Sequence, residues 1–405
     1  MKLAKKCIVL VGCAFGDEGK GKVIDQIAHE YKNSLGAIVR YSGGPNAGHT
    51  IYQNDKKIIL RQIPSGVLHD TKCMIGCGCV VDPYVLKSEI DQLNEIGIDI
   101  KSKLVIAANA HVILPQYIAE ETNESKIGTT KKGIGPCYRN KINRTSFRVM
   151  DFVNNELEFA DHNFLDKEFF SFTKDLFTNQ MTVSNVSIDI IELIKKGKYI
   201  LLEGAQGTLL DIDHGSYPFV TSSSSISGGA CTGAGISPLT IKKVIGVTKA
   251  YMTRVGNGPF YSEIEDQYVN KLIRDNGNEY GSVTKRPRRV GWLDLPALKY
   301  AVLLNGVTDL VMTKLDILTG CGDIYTLTNY FKEGDKRSLK EYPDRIDCSV
   351  FDRHDGWLED ISQCHDYKFL PDATKRYVEF VEKFVGVTIK SLSVGPGRDD
   401  IIELV

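Results

Sequence analysis

Two acidic and two basic side chains lie in one glycine-rich stretch near the start of the chain. Residues 12–22 read G-C-A-F-G-D-E-G-K-G-K, so Asp17, Glu18, Lys20 and Lys22 lie among glycines. Glycine lets a backbone come close to a ligand, and the lysine ammonium groups supply positive charge. This composition predicts a loop that binds phosphate groups.

The loop is expected to connect a strand to a helix. The apolar run at residues 7–11 predicts a short buried strand, and Ile24, Ile27 and Ala28 recur at helical spacing after the loop. The backbone amides at the start of that helix would then face a bound phosphate. A tight turn that binds nothing is the alternative, and the sequence G-K-G-K after a strand argues against it.

This loop differs from a standard phosphate-binding loop at one position. Residues 16–22 fit the frame G-x-x-x-x-G-K, but Val23 stands where a Ser or Thr hydroxyl would bind Mg²⁺. Two carboxylates, Asp17 and Glu18, lie inside the loop instead. An acid beside bound phosphates is unfavourable unless it holds a metal ion or transfers a proton, so the sequence predicts one of these roles.

The composition excludes several classes of protein. The chain has 405 residues, of which 42% are apolar and 25% are charged, and its formal net charge is −1. These values are ordinary for a globular protein, and no global basic field indicates binding to nucleic acid or to a membrane surface. We find no apolar run of the roughly 18 residues that a membrane span needs.

The cysteines favour a reducing compartment. Ten are scattered along the chain, and Cys73, Cys77 and Cys79 form a C-x₃-C-x-C cluster. We interpret the alternating run at residues 74–80 as a strand with small apolar thiols, because structural zinc sites usually have paired C-x₂₋₄-C spacing. Free thiols in a chain of this size predict a cytoplasmic location. The apolar run at residues 7–11 is short and directly precedes the loop, so we expect a strand there and not a targeting signal.

Three further polar loops follow predicted strands. The strand at 37–41 leads into S-G-G-P-N-A-G-H-T at 42–50, the strand at 104–107 precedes G-T-T-K-K-G-I-G-P-C-Y at 128–138, and the strand at 199–202 opens onto E-G-A-Q-G-T at 203–208. Open α/β sheets bind their ligands in loops at the carboxyl ends of strands. We therefore expect ligand contacts in these loops.

The second half of the chain adds a cationic loop and a base-recognition sequence. Residues 281–289 read G-S-V-T-K-R-P-R-R. Because an arginine guanidinium can donate two hydrogen bonds to one carboxylate, this loop suits a dicarboxylate amino acid as its ligand. The sequence T-K-L-D at 313–316 follows a predicted strand and is typical of guanine recognition, with the aspartate accepting hydrogen bonds from the base. The run D-I-D-H at 211–214 predicts a hydrogen-bonded turn in preference to a metal site.

Together these motifs resemble those of adenylosuccinate synthetases. The resemblance rests on the loop at 16–22, the G-G-P-N-A-G-H-T run, the loop at 128–138, the arginine loop, T-K-L-D, and S-V-G-P at 393–396, all in the family order. Lys132 stands where the family usually has arginine, and Lys285 replaces a common glycine. The resemblance implies the GTP-dependent ligation of IMP and L-aspartate through 6-phosphoryl-IMP, the first committed step of AMP synthesis.

The resemblance also implies roles for individual residues. It implies catalysis by Asp17, Lys20 and His49, with Asp17 as general base and His49 as acid. It implies GTP binding by Gly16, Asp17, Glu18, Gly19, Lys20, Gly21, Lys22, Gly48, His49, Thr50, Arg288, Lys314, Leu315, Asp316, Ser393, Val394, Gly395 and Pro396. It implies IMP binding by Asp17, Lys20, Asn46, Ala47, Gly48, His49, Thr130, Arg144, Gln206, Thr221 and Arg286. It implies aspartate binding by Ser282, Val283, Thr284, Lys285, Arg286, Pro287 and Arg288, and one Mg²⁺ per subunit held by Asp17 and Gly48.

The expected fold is a single α/β domain over residues 1–405. It has a large central, mostly parallel sheet flanked by helices, with phosphate-loop features for GTP and long functional loops. A helical subregion at residues 151–198 contains no catalytic motif. The resemblance further implies a homodimer in which Arg144 reaches the site of the neighbouring subunit.

Other functions remain open at this point. A phosphate-loop kinase or regulatory GTPase is one alternative, against which Val23 and the two loop acids argue. A phage-type relative that acts on dGMP instead of IMP is a closer alternative. A nucleotide-binding regulator without enzymatic activity is disfavoured, because Asp17, His49 and the arginine loop would have no function in it.

Overall fold

The computed structural model describes residues 3–53, 56–123, 128–155, 166–281, 287–331, 342, 346 and 348–404. Residues 282–286, to which the sequence assigns aspartate contacts and one IMP contact, lie outside the described residues. Among the described residues, no helix has both the length and the apolar character that crossing a membrane requires.

Eleven α-helices occur in the described part of the chain. They are α1 (Lys20–Glu30), α2 (Pro83–Glu95), α3 (Pro115–Asn123), α4 (Ile134–Asn143), α5 (Val149–Asn154), α6 (Lys167–Asn179), α7 (Val186–Lys195), α8 (Ser227–Ala234), α9 (Gln267–Asn276), α10 (Leu295–Asn305) and α11 (Asp372–Val385). Their ends follow ordinary capping chemistry. The Asp82 carboxylate accepts the amide of Tyr84 at the start of α2, and Gly386, with φ of 76°, ends α11 as the sequence predicts.

Nineteen strands occur in the same ranges. They are β1 (Cys7–Gly12), β2 (Leu35–Arg40), β3 (His49–Gln53), β4 (Lys56–Leu60), β5 (Lys72–Ile75), β6 (Val80–Val81), β7 (Leu104–Ala107), β8 (His111–Val112), β9 (Thr182–Ser184), β10 (Tyr199–Glu203), β11 (Ile241–Lys249), β12 (Met252–Arg254), β13 (Arg289–Gly291), β14 (Leu293–Asp294), β15 (Asp309–Thr313), β16 (Ile324–Phe331), β17 (Cys348–His354), β18 (Ile389–Ser393) and β19 (Ile401–Glu403).

Ten of these strands form the large, mostly parallel sheet that the sequence predicts. Their order is β19-β18-β15-β11-β1-β10-β2-β5-β7-β9, and the pairing of β18 with β19 is antiparallel. By contacts the chain divides into two compact units, one made of residues 1–10, 24–205 and 221–242, and the other of 11–23, 206–220 and 243–405. The single domain expected over residues 1–405 stays a prediction.

The first unit contains the parallel strands on the β10 and β2 side of the sheet. Cys7–Leu10 of β1 pair in parallel with β10, and Glu203 at the end of β10 pairs with Arg40 at the end of β2. Cys7, Ile8, Val9 and Leu10 are at most 1% exposed. Strands buried in this way read as continuous apolar runs, which is why the sequence revealed β1 so clearly.

The strand expected over residues 74–80 is wrong in its extent. β5 ends at Ile75 and β6 begins at Val80, with a turn between them. The reason is close backbone packing in this turn. A Cβ on Gly76 or Gly78 would collide with the backbone oxygens of Gly233 and Tyr41, so the two glycines belong to a tight turn.

The second unit brings three strand ends into register. Lys249 at the end of β11 pairs with Thr313 at the end of β15, and Met312 of β15 pairs with Leu392 of β18. The loops that leave β15 and β18 therefore start side by side. They carry T-K-L-D and S-V-G-P, the two motifs that the sequence assigns to guanine.

Candidate active site

Left-handed backbone shapes the acidic loop between β1 and α1. Gly16, Asp17 and Gly19 have φ of 85°, 59° and 88°. Positive φ is rare outside glycine, so its adoption by Asp17 marks a position that the surrounding structure holds. α1 begins at Lys20, and the loop thus lies against a helix N-terminus as the sequence predicts.

Glu18 is a structural part of the loop. Its side chain is fully buried, and it accepts the backbone amides of Ala14 and Gly16 at 3.1 and 2.9 Å. Its second oxygen receives the Lys20 ammonium at 2.5 Å. In this structure, the Gly16 amide is therefore satisfied within the loop.

Lys20 is the cation of this buried pair. It is 3% exposed, and its ammonium also donates to the carbonyl of Gln206. The glycines around the pair leave room for it, because a Cβ on Gly12 or Gly207 would collide with the Glu18 carboxylate. The predicted catalytic residue Lys20 and the predicted IMP ligand Gln206 thus lie together.

Asp17 has a different environment from Glu18. Its side chain is 35% exposed, and Oδ2 lies 2.9 Å from Nη2 of Arg288. Nη1 of Arg288 lies 2.6 Å from the buried carboxylate of Glu279. Burial would lower the pKa of Arg288, but the charges of Asp17 and Glu279 outweigh it and raise that pKa. The guanidinium stays charged and bridges the two acids.

The guanine-recognition sequence leaves β15 as a compact turn. Lys314, with φ of 59°, donates to the Gly277 carbonyl at 2.8 Å and to Glu279 at 2.7 Å. Asp316 opens a short 3₁₀ helix, and burial raises the pKa of its carboxyl group. The amide of Leu315 donates to the Ser393 carbonyl at 3.1 Å, so T-K-L-D contacts the closing motif.

Lys22 connects the closing motif to the acidic loop. Its ammonium donates to Ser393 Oγ at 2.7 Å and to the carbonyls of Gly395 at 2.7 Å and Asp400 at 3.0 Å. Burial lowers the pKa of Lys22 to about 8. The Val394 amide also donates to the Asp400 carbonyl at 3.0 Å. The second unit therefore assembles the acidic loop, Arg288, T-K-L-D and S-V-G-P.

The first unit holds His49 against a carboxylate. His49 is 7% exposed, and its Nδ1 contacts Glu203 Oε1 and lies 3.0 Å from Ser65 Oγ. Ser65 also donates to Glu203 from its hydroxyl at 2.6 Å and from its amide at 2.8 Å. Burial would raise the pKa of Glu203, but His49, Arg40 and Ser65 together lower it. The carboxylate is thus an anion that fixes the orientation of the imidazole.

The predicted IMP ligands of the first unit are partly brought together. Asn46 Nδ2 donates to Thr221 Oγ1 at 3.3 Å, and Asn46 Oδ1 accepts the Gly44 amide. Thr130 is exposed just before α4, and Arg144 is exposed just after it with φ of 63°. The structure thus joins Asn46 to Thr221 and leaves Thr130 and Arg144 at the surface.

Comparison with known proteins identifies the family. A family model described as adenylosuccinate synthetase matches residues 9–402. The chain belongs to the adenylosuccinate synthetase family. It is 44% identical to the adenylosuccinate synthetase of Thermodesulfovibrio yellowstonii and 42% identical to that of Caldanaerobacter subterraneus, with 98% of each chain covered in both comparisons.

Solved structures agree with this assignment. The fully ligated adenylosuccinate synthetase from Plasmodium falciparum is 33% identical, with a TM-score of 0.88 over 99% of this chain and 100% of that one. A succinoaminodeoxyadenylate synthetase of cyanophage S-2L, bound to dGMP and dATP, is 21% identical with a TM-score of 0.69, over 99% of this chain and 95% of that one. The phage likeness shows the fold alone. The family makes this protein a GTP-dependent ligase, and neither the dGMP alternative nor the kinase or GTPase alternative is favoured.

Sequence reasoning missed two buried acids of this adenylosuccinate synthetase, one in each unit. Glu203 ends β10 and Glu279 follows α9, and both side chains are fully buried. The available signal was an acid at the carboxyl end of an apolar strand for Glu203, and an acid two residues before the arginine loop for Glu279. The turn expected at residues 211–214 is confirmed, since Asp211 accepts the amides of Asp213 and His214.

Proposed function

We propose that this protein performs the family's ligation in two chemical steps. In the first, O6 of IMP attacks the γ-phosphorus of GTP, and GDP leaves. In the second, the amine of L-aspartate attacks C6 of 6-phosphoryl-IMP, loses a proton, and expels inorganic phosphate to give adenylosuccinate. The observation that carries the proposal is the family match over residues 9–402. The assembly of the predicted guanine motifs beside the acidic loop supports it.

Asp17 acts as the general base of the first step. It removes the N1 proton of IMP and thereby makes O6 nucleophilic. The environment of the two loop acids supports this choice, because Glu18 is fully buried and already binds Lys20 and two amides. Asp17 is the loop acid that is partly exposed, and its contact with Arg288 keeps a charged partner beside the carboxylate.

His49 stabilises the charge that develops at O6 during phosphoryl transfer. Its Nδ1 is held by Glu203, so the proton directed at substrate belongs to Nε2. The pKa of Glu203 is lowered, so its carboxylate is an anion that can accept a hydrogen bond from His49 Nδ1.

The nucleotides bind to the motifs that the family resemblance assigns. Asp316 accepts hydrogen bonds from N1–H and the N2 amino group of guanine, with Lys314 and Leu315 beside it and Ser393 to Pro396 closing the site. By resemblance, the loop at residues 16–22 binds the GTP phosphates at the N-terminus of α1. Before GTP binds, the Gly16 amide and the Lys20 ammonium contact Glu18, and the Lys22 ammonium contacts Ser393. IMP is bound by Asn46, Thr130, Gln206 and Thr221, and by Arg144 from a second subunit. The Asn46–Thr221 hydrogen bond supports part of this set.

L-Aspartate binds to the arginine loop. Arg288 and Arg286 bind its carboxylates, and Thr284 and the neighbouring residues 282–287 complete the loop. The charge of Arg288 supports this assignment, because Asp17 and Glu279 raise the pKa of its guanidinium although burial opposes that shift. The residues 282–286 enter by resemblance to the family only.

By resemblance to the family, we infer that Asp17 and Gly48 hold one Mg²⁺ ion. Asp17 has a carboxylate that is 35% exposed, and Gly48 is exposed at the end of its loop; carboxylate and carbonyl oxygens are the ligands that Mg²⁺ prefers. These two residues would hold the ion, which neutralises charge on the GTP phosphates when bound.

The cytoplasmic location expected for the family has support from the ten free cysteines.

An assay of product formation tests the function. The purified protein is offered GTP and L-aspartate with either IMP or dGMP, and each substrate is omitted in turn. We expect adenylosuccinate, GDP and phosphate in equal amounts with IMP, and no product when any one substrate is left out. Product formation with dGMP but not with IMP would contradict the proposal. GTP hydrolysis that needs neither IMP nor aspartate would also contradict it.

A further inference from the structure

A fully buried carboxylate lies between the guanine loop and the arginine loop. Glu279 follows α9, and its Oε1 accepts hydrogen bonds from Lys249 at 3.0 Å, Tyr251 at 2.7 Å and Lys314 at 2.7 Å. Its Oε2 accepts from Nη1 of Arg288 at 2.6 Å. Both oxygens are therefore engaged, and three of the four donors carry a positive charge.

The carboxyl group of Glu279 is ionised. Burial would raise the pKa of its carboxyl group, but Lys249, Lys314 and Arg288 outweigh burial and hold that pKa well below the usual value. Burial lowers the pKa of Lys249 to about 8, although Glu279 opposes that shift. A buried anion with several cations holds their side chains in place, because each unpaired partner would leave a desolvated charge.

Two of the cations belong to loops that the ligation uses. Lys314 lies in T-K-L-D, and Arg288 extends from Glu279 to Asp17, the proposed base. The backbone strengthens both connections. The Arg288 amide donates to the Glu279 carbonyl at 3.0 Å, and Lys314 donates to the Gly277 carbonyl at 2.8 Å. A continuous chain of charges thus runs from Lys314 through Glu279 and Arg288 to Asp17.

We propose that Glu279 is a positioning residue for the ligation, which sets the guanine loop and the arginine loop relative to each other through one buried carboxylate. It acts through Lys314 and Arg288, and its own carboxylate is enclosed by protein donors. The inference rests on the proposed roles of these two residues.

The Glu279→Gln variant distinguishes the effect on the arginine loop from the effect on the guanine loop. A glutamine has one acceptor oxygen. We expect this oxygen to face Lys249, Tyr251 and Lys314, because these three donors contact the same carboxylate oxygen in wild type. The amide NH₂ then faces Nη1 of Arg288, donor against donor. Arg288 therefore loses one of its two carboxylate partners, while Lys314 keeps an acceptor. We expect the KM for L-aspartate to rise by about 10- to 100-fold, as for a lost charge-assisted hydrogen bond, with a smaller change in the KM for GTP.

The matched control is Glu263→Gln. Glu263 forms an ion pair with Arg289, the residue next to Arg288, and both side chains are about a third exposed. A partly exposed pair contributes little, so we expect the KM for each substrate to change less than about twofold. An unchanged aspartate KM in folded Glu279→Gln, or equal effects in the two variants, would overturn the proposal.

A double-mutant cycle distinguishes positioning from a general structural role. If Glu279 acts through Arg288, adding Glu279→Gln to Arg288→Lys should leave the aspartate KM near that of Arg288→Lys alone. A structural role would instead add its full effect in both backgrounds and would raise all three KM values together with a fall in Tm. That pattern would contradict the proposal.

A second variant keeps the test informative if Glu279→Gln does not fold. Glu279→Asp retains the charge but withdraws the carboxylate by one methylene, so it cannot reach both loops. We expect the KM for aspartate, the KM for GTP or both to rise, and wild-type values of both would overturn the inference. Failure of the wild-type protein to ligate IMP and aspartate would instead contradict the proposed function, so the two failures are distinguishable.

Discussion

The two acids of the phosphate loop have opposite environments, although they are neighbours in sequence. Glu18 is fully buried and binds Lys20 and two backbone amides, whereas Asp17 is 35% exposed and contacts Arg288. The sequence explained an acid in such a loop only by metal binding or proton transfer. The structure adds a third reason, since Glu18 neutralises Lys20 and satisfies the loop backbone. This leaves Asp17 as the loop acid suited to chemistry.

Replacement of Asp17 by Asn tests the base directly. Asparagine keeps the size of the side chain but cannot accept the N1 proton of IMP. We expect kcat to fall by about 10²- to 10⁴-fold, as is typical for the loss of a general base. The Tm, measured by calorimetry, should stay close to that of wild type and serves as the control for folding, because Asp17 is partly exposed. A variant with near-normal turnover would show that Asp17 has another function.

Asp316 provides an isolated test of nucleotide choice. Its carboxylate should accept hydrogen bonds from N1–H and the N2 amino group of guanine, and adenine lacks both donors. Asp316→Asn supplies a donor amide, and xanthine carries an oxygen at position 2. The variant should therefore lose activity with GTP and gain it with XTP. The measurement is product formation with IMP and aspartate saturating. A retained preference for GTP would move base recognition away from T-K-L-D.

At the scale of elements, the sequence predicts best where one pattern dominates. β1, β10 and β15 are apolar runs in a parallel sheet, and their positions are confirmed. The strand over residues 74–80 fails because its glycines pack against backbone from distant parts of the chain, a contact that no local pattern reveals. The subregion at 151–198 is helical in α6 and α7, but it also contributes β9 to the sheet.

The start of α10 should make stability depend on pH. Asp294 caps this helix by accepting the Ala297 amide at 3.0 Å, and it also accepts the Tyr330 hydroxyl. Burial raises the pKa of Asp294 from 3.8 to about 7. The folded chain then keeps a proton that the unfolded chain releases. The stabilisation is complete below the unfolded pKa of 3.8 and is lost as the pH rises through about 7.

The Asp294→Asn variant isolates this contribution. Its amide oxygen still accepts from Ala297 and Tyr330, so the helix cap is kept without a titrating group. Between pH 4 and 7, the free energy of unfolding of wild type should fall relative to the variant by up to about 1.4 kcal/mol per pH unit. Chemical denaturation at several pH values measures the difference. Asp266→Asn, at the exposed cap of α9, is the control, and parallel curves for Asp294→Asn and wild type would contradict the prediction.

At the scale of the whole molecule, the sequence revealed loops with a characteristic composition and missed single buried side chains. Glycine-rich and arginine-rich stretches can be recognised in the sequence. Close approach of the backbone to a ligand, or a high local charge, needs several adjacent residues of one type. Glu203 and Glu279 are each one acid in ordinary surroundings, and their function depends on partners far away in sequence. Glu203 meets Ser65 from 138 residues away, and Glu279 meets Lys314 from 35 residues away. Only the folded chain shows these contacts.

Arg144 is the residue whose proposed function requires a second copy of the chain. It lies exposed just after α4, beside Ile142, which is 75% exposed. An apolar side chain next to an exposed arginine is suited to an interface between subunits. If Arg144 contacts IMP in the neighbouring subunit, a dimer of Arg144→Leu and Asp17→Ala chains has one site that carries both defects and one that carries neither.

Mixing the two inactive variants therefore tests the shared site. Random exchange places half of the chains in hybrid dimers, and one of the two sites in each hybrid is intact, so we expect activity to return to about a quarter of the wild-type value per chain. Native mass spectrometry of chains that carry different tags shows whether exchange has occurred. Each variant incubated alone is the control and should stay inactive. Demonstrated hybrids without activity would show that Arg144 does not act across the interface. If each site used Asp17 and Arg144 of the same chain, every site in the mixture would carry one defect.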